Sequence, residues 1–238
     1  MSFLGAAISA GVFIVLARVL GFTPGQCFLV VGLLTAILAG LTLWLLPDFL
    51  IRLFVVIVTR IFYRIKTAGL ENVPVTGGAL LISNHVTWVD ALLIAATQQR
   101  RVLYMMERSI YETWWINPLF RLMKVIPIST KDNPRRVIES LRAARGALED
   151  GYMVCIFAEG ALTRNGNMRE FRGGFEKIVK GTDISIIPVY LGGAWGSIFS
   201  HYRGKLLSGF PRAIPYPVSV LFGKPLMPTR AGIYLEMG

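Results

Sequence analysis

Residues 79–90 read ALLISNHVTWVD: an apolar run, a polar Ser83-Asn84-His85 step, and then a segment that continues in helical register beyond Asp90. A short apolar run bounded by polar residues predicts a buried strand, here Ala79–Ser83, so His85 falls between a strand and a helix. Similar runs recur at Val102–Met106, Val125–Ile128, Met153–Ala158, Ser185–Leu191 and Pro217–Phe222, with helical patterns between several of them. The clearest helix starts after Asp132-Asn133, carries Pro134 near its first position and ends at Gly151. Val137, Leu141, Ala144 and Leu148 form its apolar stripe, while Arg135, Arg136, Arg142 and Arg145 lie off it, solvated or facing an acidic partner. The alternation predicts one α/β domain over 67–238, a mostly parallel or mixed sheet flanked by helices.

Towards the amino terminus the pattern changes. Residues 4–21 are apolar except for Arg18, and residues 27–46 carry no charge. About 20 apolar residues cross a hydrocarbon core of roughly 30 Å. With only FTPGQ between them, the two runs predict a transmembrane hairpin. A signal peptide is the alternative for the first run, which lacks a basic leading segment and a small-residue cleavage site. Residues 49–66 then interrupt apolar sequence with Arg52, Arg60, Arg64 and Lys66, placed opposite Leu53, Phe54, Val55, Ile57 and Phe62 on a helix. That pattern predicts an amphipathic helix lying in the interface, with a third span as the competing reading. The expected division is therefore 1–66 for the membrane and 67–238 for the α/β domain. Basic residues follow the second run and none lies in the turn, which places the domain on the cytoplasmic side of an inner membrane.

Composition agrees with a lipid setting. Of 238 residues 54% are hydrophobic, and a mean hydropathy of +0.56 is too high for an ordinary soluble domain. A net charge of +11 suits an anionic partner: lipid head groups, an acidic protein or nucleic acid. The chain lacks the aromatic-basic interleaving of nucleic-acid modules, so no nucleic-acid partner is expected. Cys27 and Cys155 have neither metal-ligand nor CxxC spacing and read as reduced, inert thiols. No GxSxG elbow, P-loop, HExxH or zinc spacing occurs, leaving hydrolase, kinase and metalloprotease readings without an anchor.

Histidine titrates near pH 6.5, and a carboxylate against its second ring nitrogen fixes the tautomer and supports the imidazolium. His85 and Asp90 could form such a catalytic pair. Within one helix, residues five apart point about 140° apart, so the pairing requires His85 in the turn and Asp90 in the first turns of the helix. An Asn-His capping segment with Asp90 as a helix-start carboxylate is the other reading. A second polar cluster follows the strand that ends near Ala158: Glu159, Gly160, Thr163 and Arg164, then Arg172-Gly173-Gly174 opening another helical run. Ligands bind beyond the carboxyl ends of strands in open α/β sheets. Arg164 and Arg172 beside free backbone N–H groups would cradle a phosphate, or else form a solvated basic loop.

These residues resemble the glycerolipid acyltransferase family, which contains the 1-acylglycerol-3-phosphate acyltransferases. Its NHx(S/T)xxD motif is matched by Asn84, His85, Thr87 and Asp90, its EG motif by Phe157, Glu159 and Gly160, and its hydrophobic-Pro motif by Ile187-Pro188-Val189. The resemblance covers roughly residues 67–230. It implies that His85 is the base, Asp90 its partner, and the loop of Glu159, Gly160, Thr163, Arg164 and Arg172 the acceptor site. Ala158 stands where proline is usual, Ala161-Leu162 separates Gly160 from Thr163-Arg164, and Lys124-Val125-Ile126-Pro127-Ile128-Ser129 lacks the glycine and arginine of the family's second motif. These departures resemble the acyltransferase module of bacterial transporter, acyltransferase and acyl-carrier-protein-synthetase fusions, in which two residues separate EG from Thr. The hairpin resembles the last two helices of the transporter part, and the end at Met237-Gly238 reads as that of a fragment.

The expected activity is acyl transfer from acyl-CoA or acyl-carrier protein to the free hydroxyl of a lysophospholipid, lysophosphatidylethanolamine-like or lysophosphatidic acid. No metal or organic cofactor is implied. A non-catalytic lipid-binding module attached to a transporter fragment is the alternative, and it has no need of both His85 and Asp90.

Overall fold

The computed structural model describes residues 2–45, 47–202 and 213–228. The end at Met237-Gly238 therefore lies outside the described residues. The chain divides into two compact units, Met1–Ile51 and Arg52–Gly238.

In the first unit, α1 (Ser2–Arg18) and α2 (Pro24–Leu45) meet through Phe13 and Phe28, whose ring centroids are 5.6 Å apart. Thr23 and Gln26 cap α2 reciprocally. The Gln26 side-chain carbonyl accepts from the Thr23 N–H at 2.9 Å, and the Thr23 hydroxyl oxygen accepts from the Gln26 N–H at 3.4 Å. Pro24–Thr42 is a 19-residue stretch long and apolar enough to cross a membrane. The next helix, α3 (Pro47–Phe62), ends earlier than its apolar pattern suggests. From Tyr63 the period changes from helical to alternating: Tyr63 is buried, Arg64 exposed, Ile65 half-buried and Lys66 exposed. Tyr63–Ala68 is an edge strand, β1, paired in parallel with β7 (Tyr216–Phe222). Arg64 and Lys66 thus leave the helical face that they were expected to share with Arg52 and Arg60.

The second unit is built on β1, β2 (Ala79–Ser83), β3 (Val102–Glu107), β4 (Ile126–Ile128), β5 (Met153–Phe157), β6 (Ser185–Gly192) and β7. Among the described residues they form one mixed sheet in the order β1-β7-β6-β2-β5-β3-β4, parallel except where β6 meets β7. Helices α4 (Asp90–Thr97), α5 (Arg108–Tyr111), α6 (Asn117–Leu122), α7 (Pro134–Glu149) and α8 (Glu176–Val179) connect the strands. Every residue of β2 is buried, and its side chains alternate between two cores: Ala79 and Leu81 in one, Leu80 and Ile82 in the other. That is why this strand reads as a continuous apolar run. Each fully buried Leu or Ile stabilises by roughly 1.5–3 kcal/mol. Helix α7 follows its sequence signals: the Asn133 side chain accepts from the Arg136 N–H at 2.9 Å, and Leu141, Ala144 and Leu148 are buried.

The carboxyl ends of β3 and β4 are tied by an ion pair, with the Arg108 guanidinium 2.9 Å from the Asp132 carboxylate. Asp132 also accepts from the Ser129 N–H at 3.0 Å. The hydrogen bond from Arg108 holds the Asp132 carboxyl below the usual carboxylate range. A depressed folded-state value contributes stability above the unfolded pKa, about 3.9, and loses it as pH falls through the folded value. Asp132→Asn is thus expected to lower the midpoint of thermal unfolding at neutral pH. Thermal scans in detergent should show the gap to the unaltered protein closing below about pH 4. A gap that persists unchanged into acid would remove the ion pair as its cause.

Candidate active site

Strand β2 lies between β5 and β6, both parallel to it, so the carboxyl ends of these three strands converge on one edge. Each contributes to what surrounds His85. Asn84, the first residue beyond β2, is buried and extends the pairing with β6 through its side chain. Its amide donates to the Leu191 carbonyl at 3.0 Å and its carbonyl accepts from the Leu191 N–H at 2.7 Å. Asn84 thereby lets the backbone leave the sheet while its last ladder positions stay satisfied.

The turn that follows is organised around Asp90, the first residue of α4, which is wholly buried. Its Oδ2 accepts from the Val86 N–H at 2.6 Å and the Thr87 N–H at 2.9 Å, and lies 2.9 Å from His85 Nδ1. Its Oδ1 accepts from the Thr87 hydroxyl at 2.5 Å. A carboxylate that only accepts assigns the proton to Nδ1 and leaves the lone pair on Nε2. The required geometry is met: His85 stands in the turn and Asp90 at the helix start. The capping reading is not met: no side chain among the described residues caps the N-terminus of α4, whose N-cap is Val89, and the Asp90 carboxylate turns back to bind N–H groups that precede the helix.

The imidazole is held on a second side by Phe157, the last residue of β5, stacked at 4.1 Å between centroids with 16° between planes. Glu159 is buried and turned inward. Oε1 accepts from the His85 N–H and Oε2 from the Arg169 N–H, both at 2.9 Å. The Thr163 N–H donates to the His85 carbonyl at 2.9 Å, so both backbone polar groups of His85 are bound by the loop after β5. Buried Thr163 also shapes that loop, its hydroxyl donating to the Asn167 carbonyl at 2.7 Å. Gly160 has φ +69°, and an added Cβ would lie 2.9 Å from Arg172 Nε, so the Arg172 side chain runs directly over this glycine. Arg164 is exposed and has no hydrogen-bond partner among the described residues.

A cleft of about 390 Å³, open to solvent, touches Asn84 and Val86 on either side of His85. Glu159, Thr163, Tyr190 and Trp195 are among its other walls. Gly166, with φ +84°, lets the Trp195 indole close against the loop: a Cβ there would sit 2.8 Å from Trp195 Nε1.

The structure therefore brings together His85, Asp90, Glu159 and Thr163, sets Gly160 against Arg172, and leaves Arg164 on the surface. Asn84, Phe157 and Thr87 are motif positions to which the sequence pattern assigns no contact, and the packing shows each of them supporting His85 or its turn. The signal for Phe157 was its place at the end of an apolar strand that leads into Glu159.

Comparison with known proteins places the chain in a family. The profile of the Acyltransferase family matches residues 64–192, from β1 to β6, and the chain belongs to that family. It is 26% identical over 167 residues to the chloroplastic 1-acyl-sn-glycerol-3-phosphate acyltransferase LPAT1 of Arabidopsis thaliana, covering 70% of this chain and 46% of that protein. It is 29% identical over 132 residues to the 1-acyl-sn-glycerol-3-phosphate acyltransferase of Borreliella burgdorferi, covering 54% of this chain and 51% of that one. The chain spans about half the length of the curated relatives it matches. The crystal structure of the 1-acyl-sn-glycerophosphate acyltransferase PlsC from Thermotoga maritima shares the fold. Its TM-score is 0.61 at 19% identity, over 96% of this chain and 88% of that one.

Proposed function

We propose that this chain transfers an acyl group from a thioester carrier to the free hydroxyl of a lysophospholipid, with lysophosphatidic acid as the leading acceptor. The observation that carries the reading is the His85–Asp90 pair, 2.9 Å apart, on the carboxyl edge of the sheet, where the neighbours of His85, Asn84 and Val86, line a cleft. The names of the relatives support lysophosphatidic acid. A lysophosphatidylethanolamine-like acceptor rests on the resemblance to the fused bacterial module.

In the proposed step His85 Nε2 takes the proton from the acceptor hydroxyl while its oxygen attacks the thioester carbonyl carbon. The tetrahedral oxyanion collapses, the carbon–sulfur bond breaks, and the imidazolium returns the proton to the departing thiolate. Asp90 keeps Nδ1–H aligned and stabilises the imidazolium. Glu159 serves by positioning: with both oxygens engaged by backbone N–H groups, it holds His85 against the loop. Gly160 and Thr163 shape that loop, and Arg164 and Arg172 supply cations for the acceptor's phosphate. The apolar hairpin attaches the protein to the inner membrane with the α/β unit on the cytoplasmic side, a placement supported by Arg52, Arg60, Arg64 and Lys66 after the second apolar run.

The test is purified protein in detergent, given acyl-CoA or acyl-carrier protein with a panel of lysolipids. Formation of phosphatidic acid from lysophosphatidic acid supports the proposal. No acyl transfer to any lysolipid from either donor would leave a lipid-binding module. Arg164→Ala and Arg172→Ala are each expected to raise the Michaelis constant for lysolipid by about 10-fold to 100-fold, the scale of a lost charged hydrogen bond. A raised constant for the donor instead would reassign both arginines to donor docking.

A further inference from the structure

The connection between β3 and β4 carries a surface that the proposed chemistry does not use. Trp114 and Trp115 are 85% and 66% exposed, and Leu119 and Leu122 are 44% and 47% exposed. Leu119 and Leu122 are three apart and share one face of α6, while Phe120, on another face, is buried and stacked with Tyr111 at 6.3 Å. The turn presenting the indoles is tightly bonded. Asn117 donates its side-chain amide to the Tyr111 carbonyl at 2.7 Å, and the N–H groups of Ile116 and Asn117 both donate to the Thr113 carbonyl, at 3.1 and 2.9 Å. The apolar groups are therefore held outward by a built scaffold. Single exposed apolar residues are ordinary, whereas a contiguous patch marks an interaction surface.

We propose that Trp114, Trp115, Leu119 and Leu122 seat on an anionic lipid surface. Indole rings favour the head-group level of a bilayer, apolar over most of the ring and polar at the N–H. Exposed Arg121 and Lys124 flank the patch, and the only acid within 109–124 is Glu112, so the charge complements anionic head groups. A lipid partner rather than a protein follows from the apolar stretch Pro24–Thr42, and in this the inference rests on the membrane reading proposed above. Position adds a reason. Strands β3 and β2 are both parallel to β5, so the connection leaves the sheet at the edge where His85 stands. Trp88, 47% exposed, lies in the turn beyond β2 on that same edge. Seating this edge on lipid brings the turn that carries His85 to the boundary from which a lysolipid is drawn.

The experiment uses the full chain, labelled with fluorotryptophan and reconstituted into phosphatidylcholine vesicles with and without phosphatidylglycerol. Fluorine resonances are assigned by single Trp→Phe variants. The Trp114 and Trp115 signals should broaden with spin-labelled lipid, more so with phosphatidylglycerol, and resist a water-soluble gadolinium chelate. Trp44, in α2, reports bilayer insertion separately. Broadening of Trp44 by lipid, with Trp114 and Trp115 reached only by the chelate, overturns the patch and leaves the membrane reading standing. Broadening of Trp114 and Trp115 without Trp44 does the reverse, and broadening of none of them removes both. The double variant Trp114→Ser with Trp115→Ser should raise the Michaelis constant for vesicle-borne lysolipid by roughly 10-fold. Turnover on a monomeric short-chain lysolipid should not change, and an equal loss on both substrates would also overturn the patch.

Discussion

His85→Ala is expected to lower turnover by roughly 10²-fold or more, the scale of losing general-base catalysis, with little change in the Michaelis constants. Asp90→Asn should come close to it. The substituted amide has only one acceptor oxygen, where the carboxylate serves His85 Nδ1, Val86 N, Thr87 N and the Thr87 hydroxyl. An NH₂ group in place of Oδ2 would face N–H donors and displace the turn or change the imidazole tautomer, whereas in place of Oδ1 it can donate to a rotated Thr87 hydroxyl, and the loss is then the negative charge that supports the imidazolium. In the proposed mechanism the two residues act as one unit, so the double variant should fall little below either single one. Steady-state kinetics on protein of unchanged secondary structure decides the matter. Near-normal turnover by a folded His85→Ala protein would dismiss the mechanism, and a double variant carrying the full product of the single losses would dismiss the pair.

The second large effect belongs to a residue that is proposed to touch no substrate. Glu159→Gln preserves shape yet loses one acceptor, so either the His85 N–H or the Arg169 N–H loses its partner inside the protein. An unsatisfied buried donor costs about 1–3 kcal/mol, and denaturant unfolding should show a loss of that order. Turnover should fall with the Michaelis constants nearly unchanged, because the imidazole is displaced while the cationic positions remain. Arg164→Ala gives the opposite kinetic pattern. If Glu159→Gln instead raised the constant for lysolipid and spared stability, Glu159 would be an acceptor contact, as the family resemblance implies.

What was legible in the sequence was what is local. The buried strands β2 to β7 announce themselves as apolar runs ended by turn residues, and α7 by Asn133 and Pro134. The His85–Asp90 pair was legible because five residues of spacing at a strand-to-helix step restrict its geometry closely. Strand β1 was not, since YRIK follows an apolar helix with no glycine or proline between, and its pairing with β7 is remote in sequence. For Glu159 the position beyond a strand was readable, but its direction was not. An acid in a loop after a strand can face solvent or turn back, and only the packed sheet decides. The same holds for Asn84, whose partner Leu191 lies 107 positions away.

That separation has a consequence for the order in which competence is acquired during synthesis. The turn from His85 to Asp90 closes on itself and can form soon after it leaves the ribosome. The groups that align it come later: Glu159 is 74 positions downstream and Leu191, on β6, 107 positions from Asn84. Contacts this distant form slowly, since loop closure must precede the interactions that reward it. A nascent chain halted before β6 would carry the complete pair without the framework that aims it. Until that strand inserts beside β2, Asn84 lacks the Leu191 backbone groups that hold it, and the turn that carries His85 lacks its support on that side.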